Sequence, residues 1–405
     1  MQIENFDPIP LLSELAACFS KEEIEELARG SKFVQRSTSR LSGRSFLMLN
    51  VFDTSDGKER SLNDCCDWLA DEFDISMTKQ SLDERYNTDA VRFMRHCFSR
   101  VLKIVNAGVM ERALTLPFSR IQLTDSTSFK IPANLSTFYL GYQNGGEAII
   151  KMHFNYNLLN GQVVDIALTD GVANDNLYKL GKSEKIEANG LYIRDLGYWD
   201  LDHLNKLASN GAYFLSRSKS NSVYSQLNDG GKYIRINLAD HLPKQGEVKQ
   251  LLDVYIGGGK TKAKVRLIMQ GVPQEVAIKR LKKLEATKAR HKNWTLSQQA
   301  KDMCWFNIYI TNADEEKLPA SMVRLVYSLR WQIELIFKIW KSVFKIDKVK
   351  KMSIFRFECY IYSKLITILL TLHIQNKLGQ FLWDEDEFEL SPIKAAKLIK
   401  KSLVV

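Results

Sequence analysis

Apolar residues recur every three or four positions through the first quarter of the chain and then, for long stretches, at every second position, so two kinds of structure follow one another. From Pro10 to about Leu116 the helical period dominates. It is plain in SLNDCCDWLADEF and AVRFMRHCFSRVLKIV, with Ser20 and Ser61 placed to cap helix N-termini. From Ser119 the period shortens: RIQLTDSTSFKI, AIIKMHFNYNL and QVVDIALTDG read as three consecutive strands. Then come a polar helix-like stretch, GLYIRDLGYW, the helix DLDHLNKLASNG and the strand AYFLSRS. Further strands, KYIRINL, LLDVYIG and KAKVRLIMQ, are joined by glycine-rich turns and followed by the charged helix QEVAIKRLKKLEATKARHKN. The strand WFNIYIT leads into a last amphipathic helix, LVYSLRWQIELIFKIWK, Leu325 to Lys341.

This order predicts a helical N-terminal domain over residues 1–116 and a mixed-sheet α/β domain over 117–220 and 303–350. A β-rich insertion with a basic helix, 221–302, interrupts the sheet, and a helical region, 351–405, follows as the candidate for dimerisation. The pair within SLNDCCDWLADEFDISMTKQSLDERY fits a helix-turn-helix whose second helix meets DNA, or two helices of a plain bundle, since its turn lacks glycine.

Charged residues inside the apolar elements change the picture. At ~100° per residue, with Glu334 as zero, Arg330 falls near ~−40°, Tyr327 near ~+20° and Lys341 near ~−20°. Val326, Leu329, Ile333, Ile336 and Trp340 occupy a separate stripe that reads as the core face. In IQLTD, Asp125 shares the parity of Ile121 and Leu123; in GLYIRD, Asp195 shares that of Leu191 and Ile193. Asp165 has the opposite parity to Val164, Ile166 and Leu168, as a solvent-facing acid would. Aspartates on apolar faces need compensation, because an unpaired buried carboxylate costs several kcal/mol. Hydrogen bonds from turn amides would serve. So would a divalent cation, and Mg2+, a hard ion that takes few carboxylates and keeps room for phosphate oxygens, suits Asp125, Asp195 and Glu334.

Composition narrows the partners. The 405 residues are 45% hydrophobic and 26% charged, as in a globular protein of two or three domains. A net charge of +10 and a pI near 9.1, with basic clusters at Lys279 to Lys292, Lys338 to Lys351 and Lys394 to Lys401, point to a polyanion, the alternative being solvated helix faces. Six cysteines without a C-x-x-C pair read as reduced, buried thiols. The start, MQIENFDPIPLLSEL, lacks the basic, then apolar pattern of an export signal, and Lys364 and His373 break the longest apolar run, CYIYSKLITILLTLHIQ, below membrane-span length. A cytoplasmic protein is the expectation. GGGKT, Gly257 to Thr261, imitates a phosphate-binding loop but has Val254 where its first glycine belongs, so it reads as a hairpin turn. The six histidines are scattered singly.

Tyr327, Arg330, Glu334 and Lys341 reproduce Y-x2-R-x3-E-x6-K, the signature of the insertion-sequence-four (IS4-type) family of bacterial transposases. The chain resembles that family from about Ser119 to Lys351, with LTDSTSFKIP and IRDLGYWDLDHLNKLASNGAYFLSRSK similar to the segments around its two catalytic aspartates. The resemblance implies a ribonuclease-H-like domain with a DDE triad of Asp125, Asp195 and Glu334 holding two Mg2+ ions, Mn2+ being a substitute. It also implies cleavage and strand transfer at the terminal inverted repeats of the element, by cut-and-paste through hairpin ends. Double-stranded DNA is then the partner, gripped by a homodimer. Arg330, Lys341 and Tyr327 would hold phosphates, and Trp331 would stack on an unstacked base or simply pack. Relatives use a tryptophan near the preceding strand as a base wedge; Trp305 lies in that strand but is displaced from the matching position. The competing readings are a ribonuclease-H-like nuclease without strand transfer and a DNA-binding protein derived from a transposase that has lost catalysis.

Overall fold

A computed structural model of the chain describes residues 20–36, 39–51, 61–106, 116–142, 146–173, 186–195, 198, 200–218, 222–290, 296–386 and 391–402. The segment MQIENFDPIPLLSEL and Cys18 lie outside them; the other five cysteines are free thiols. The N-terminal helices are α1 (Lys21–Gly30), α2 (Gly43–Val51), α3 (Leu62–Phe73), α4 (Lys79–Arg85) and α5 (Thr88–Asn106). Ser20 accepts a hydrogen bond from the Glu23 amide, and Ser61 and Asp64 cap α3 reciprocally, which satisfies amides that a helix start leaves unbonded. The turn between α3 and α4 needs no glycine because Asp74 itself adopts the left-handed conformation, at φ 55°.

The strands are β1 (Arg120–Ile131), β2 (Ala148–Asn157), β3 (Gln162–Asp170), β4 (Gly190–Arg194), β5 (Tyr213–Arg217), β6 (Tyr224–Leu227), β7 (Tyr233–Arg235), β8 (Val248–Ile256), β9 (Ala263–Gly271) and β10 (Phe306–Thr311). They form one mixed sheet in the order β3-β2-β1-β4-β5-β10-β9-β8-β6-β7. β1, β4 and β5 run parallel to one another; every other neighbouring pair is antiparallel. Strands β6 to β9 extend the sheet outward from β10. Gly257, at φ 128°, opens the tight connection from β8 to β9, the place of GGGKT. Gly190–Arg194, in the stretch GLYIRDLGYW that reads as polar and helix-like, is instead a strand; its five residues are all buried, and strand pairing on both sides satisfies its backbone.

The central strands are buried on both faces, which alternation alone does not reveal. In β4, Leu191 and Ile193 join one apolar cluster and Tyr192 another on the opposite side. In β1, Gln122 and Thr124 are as buried as Ile121 and Leu123. The reading of β3 also shifts. The register slips opposite Asn155 and Tyr156, so Val163 rather than Val164 pairs and turns inward.

Helices α6 (Leu201–Ser209), α7 (Gln274–Arg290), α8 (Gln298–Asp302), α9 (Val323–Ser328), α10 (Trp331–Ser342), α11 (Ile354–Asp386) and α12 (Pro392–Ser402) complete the order. α6 covers one face over β5 and β9. On the other, α11 packs against α5, α2 and α12; Arg95 Nε donates to the Tyr362 hydroxyl at 2.9 Å and Thr367 Oγ1 to the Val51 carbonyl at 3.3 Å. Lys364 and His373 do not interrupt this helix. It runs unbroken for 33 residues, with Lys364 3% exposed and its ammonium 5.3 Å from the Tyr360 ring centre. By length and composition Ile354–Gly379 suffices to cross a membrane, but 89% of its apolar window is buried inside the protein.

Candidate active site

β1 and β4 are parallel neighbours with Thr124 opposite Arg194, so the next residue of each, Asp125 and Asp195, come side by side. Both point to the face of Ile121, Leu123, Leu191 and Ile193, where α9 and α10 pack. Asp125 Oδ1 accepts from the Ser126 amide at 2.8 Å. Asp195 follows the last residue of β4, and its loop is anchored from the opposite face. The Tyr198 amide donates to the Asp195 carbonyl at 3.0 Å, while the Tyr198 hydroxyl shares a 2.9 Å hydrogen bond with His153 Nδ1, whose Nε2 meets Thr169 Oγ1 at 3.0 Å. Single histidines carry no sequence signal for such a role.

The last amphipathic segment is two helices rather than one. Leu329, Arg330, Gln332 and Ile333 each donate an amide three residues back, to Val326, Tyr327, Leu329 and Arg330, at 3.0 to 3.2 Å. This tightens the winding toward ~120° per residue, which brings Arg330 a full turn above Tyr327. α10 then carries Glu334 one turn further, while Ile333, Ile336 and Trp340 are buried.

Arg330 faces all three acids. Its Nη1 is 2.7 Å from Asp125 Oδ2, its Nη2 2.7 Å from Glu334 Oε1, and its Nε 4.0 Å from Asp195 Oδ1. Burial pushes the Asp125 carboxyl up to about 6; the Ser126 amide and Arg330 pull it down, and Asp195 and Glu334 push it up again. Burial also lowers the tendency of Arg330 to stay charged, but Asp125, Glu334 and Asp195 outweigh it and its pKa is raised. Burial raises the Tyr327 phenol to about 12, so it remains protonated, with its hydroxyl enclosed beside Arg330 and its ring 5.3 Å from that of Tyr309 on β10. Tyr309 escapes pattern reading because every residue of β10 is buried.

Lys341 does not reach the acids. Its Nζ donates at 3.2 Å to the carbonyl of Ser128, which follows Asp125 along β1, and burial lowers its pKa. Trp331 is 57% exposed beside Arg330, and Trp305, just before β10, is 43% exposed.

The donor set is all oxygen, three acids crowded about one positive fork, which suits a hard cation. With Arg330 gripping two of them, no group of three metal-ligating side chains among the described residues closes around a common point; the compensating charge is the guanidinium.

Residues 116–370 match the family described as transposase DDE domain, and the chain belongs to the DDE transposase family. It is 35% identical to the transposase for insertion sequence element IS1151 of Clostridium perfringens, over 95% of this chain and 84% of that one. It is 33% identical to the IS231F transposase of Bacillus thuringiensis subsp. israelensis, over 97% and 86%. A cryo-EM structure of the piggyBac transposase synaptic complex with hairpin DNA aligns over 99% of this chain and 80% of that one, at 11% identity and a TM-score of 0.49.

Proposed function

We propose that this chain binds the terminal inverted repeats of its own insertion sequence as a homodimer in the cytoplasm and moves the element by cut-and-paste, with Asp125, Asp195 and Glu334 as the catalytic triad of a ribonuclease-H-like domain. The observation that carries this reading is the meeting of three acids, from β1, from the end of β4 and from α10, at the single guanidinium of Arg330. The divided organisation fits the same reading. The helices of 1–116 would bind DNA, 117–220 with 303–350 would cut it, 221–302 would be an insertion, and 351–405 would assist dimerisation.

Asp125, Asp195 and Glu334 would hold two divalent ions, Mg2+ or Mn2+, and the chemistry supplied there is a lowered pKa for the attacking water and stabilisation of the leaving 3′ oxygen. Arg330, freed from the acids, turns its planar fork to a backbone phosphate. Lys341 holds a second phosphate near Ser128, and the protonated Tyr327 hydroxyl donates to one beside it. Trp331 is exposed enough to stack on a base lifted from the helix. The 3′ hydroxyl so released attacks the phosphodiester of the opposite strand, closing a hairpin and expelling the 3′ oxygen of the flanking DNA; water then reopens the hairpin, restoring the 3′ hydroxyl that attacks target DNA.

The test is incubation of the protein and Mg2+ with duplexes bearing the element ends and target plasmid. Hairpins and joined products are expected. Nicks without joining would reduce the protein to a nuclease, and a mobility shift without cleavage would reduce it to a DNA binder. Arg330→Gln and Lys341→Gln should weaken hairpin closure and joining more than the first nick; equal loss at every step would remove them from the processed end.

A further inference from the structure

We infer that Arg217, Arg280 and Arg324 form a second phosphate-binding subsite, adjoining the acid cluster across the Tyr309 and Tyr327 rings, that takes the phosphodiester backbone of a DNA strand passing the candidate active site. It rests on the functional reading above and extends it to residues outside the four-residue signature.

Three separate elements converge there. Arg217, the last residue of β5, lies directly opposite Tyr309 on antiparallel β10, so the two side chains share a sheet face. Asn307 is two residues before Tyr309 and therefore on that same face, and Arg280 reaches it from α7, Nη2 donating to Asn307 Oδ1 at 2.8 Å. Arg324 precedes Tyr327 by three residues on α9, one helical turn, and the Tyr327 ring packs on Tyr309. This is the face of Leu215 and of the residues beneath Asp125 and Asp195.

The electrostatics agree with that placement. Burial raises the Tyr309 phenol, and Arg217, Arg324 and Arg280 all pull it back. Burial lowers the pKa of Arg280, and Arg217 and Arg324 lower it further, as mutually repelling cations do. Tyr327 stands between the two groups: Asp195 raises its pKa, while Arg330 and Arg217 lower it. Among the described residues none of the three arginines has a carboxylate partner; the Asn307 oxygen is the one acceptor any of them meets. Arg217 and Arg324 are exposed and Arg280 is half-buried. Three guanidinium groups without a carboxylate partner among the described residues, beside three carboxylates that already share Arg330, form a divided site. Cations for a polyanion stand on one side of Tyr327, and acids that need a cation stand on the other. Guanidinium forks match phosphate oxygens in geometry as well as charge.

The test measures equilibrium binding of the full chain, with the triad intact and no divalent ion, to two duplexes from approximately 50 to 200 mM salt. One ends at the element terminus and one continues into flanking DNA. The variants are Arg217→Gln, Arg280→Gln and Arg324→Gln, singly and together, with Arg→Lys at each position as charge-preserving controls. Each Gln substitution should reduce the slope of log affinity against log salt by about 1, the triple by about 3, with the Lys forms close to wild type. The duplex that shows the loss says which DNA lies there. In the free protein the Gln variants should melt at or above the wild-type temperature, since like-charge repulsion is removed; a drop would mark a structural role and overturn the inference. Wild-type binding with an unchanged slope in the triple variant overturns the subsite alone. Absence of wild-type binding to both duplexes would overturn the functional reading and the subsite with it.

Discussion

On one half of the sheet, β1 and β4 are covered on both faces and bring two aspartates to a wall of α10; on the other half, every residue of β7 is exposed and α7 lies open to solvent along almost its whole length. Charge divides the same way. Residues 221–302 contain sixteen Lys and Arg against seven Asp and Glu, a net +9 out of the chain's +10, so the remaining 323 residues are nearly neutral. The difference teaches where each kind of group is affordable. Acids set side by side in one wall repel one another and must share a cation, which makes them few, fixed and suited to chemistry. Cations on exposed strands and a solvated helix cost little individually and attract a polyanion collectively.

The largest effect that would sharpen this contrast is catalytic. Asp125→Ala, Asp195→Ala and Glu334→Ala should each lower DNA cleavage by more than ~10³-fold, while the affinity for element-end duplex stays within about twofold. Single-turnover cleavage and mobility-shift titration on the same preparations measure both. A parallel fall in affinity would mean that the three acids themselves contribute to binding, and the division of labour between acids and cations would not hold.

Core packing offers the next contrast. Trp340 is fully buried, with Phe154 and Phe337 edge-on at 5.0 and 5.4 Å, so Trp340→Ala should cost about 3–5 kcal/mol of unfolding free energy. Tyr233→Ala on β7, 48% exposed, should cost no more than about 1 kcal/mol despite its contact with Tyr255. Urea denaturation of both variants decides; comparable losses would show that the outer half is as tightly packed as the inner.

Between these two lies Arg330. Arg330→Ala leaves three carboxylates without their shared cation and should cost about 2–3 kcal/mol, less than a fully buried pair because Glu334 is 35% and Asp195 44% exposed. Millimolar Mg2+ should raise the melting temperature of this variant more than that of the wild type. An equal shift in both would mean that the guanidinium and the metal do not compete for the acids.

Much of this was legible in the chain. Strand parity put Asp125 and Asp195 on the inner face, and helical spacing put Arg330 and Glu334 on one stripe, because both depend only on local periodicity. The spacing did not show that the helix divides at Leu329 and Arg330, since the tightened turn is read from hydrogen bonds, not from residue types. Nor did it show that Lys341 bonds Ser128 rather than an acid, which depends on how α10 lies over β1. β6 was missed because YSQL offers too few apolar alternations. Arg217 carried the same parity signal as Asp125, on the face of Leu215, but a cation at the end of a strand reads as a solvated terminus until β10 and α7 are seen beside it.

The smallest effect tests the seam between the halves. α6 packs over both β5 and β9, and its His203 is depressed to about 3 from 6.5 by burial first, then by Arg194 and Lys206. A histidine with a lowered folded pKa is neutral in the native state but takes up a proton in the unfolded chain. Its contribution to stability is therefore complete above pH 6.5 and is lost as the pH falls from 6.5 toward 3. Between pH 7 and 5.5 the loss should be about 1 kcal/mol. His203→Leu should flatten that part of the stability profile, and hydrogen exchange at pH 5.5 should quicken in β5 and β9 before β2. If the wild type and His203→Leu lose stability in parallel over this range, the seam is held by packing alone and the two halves are less separable than their charges suggest.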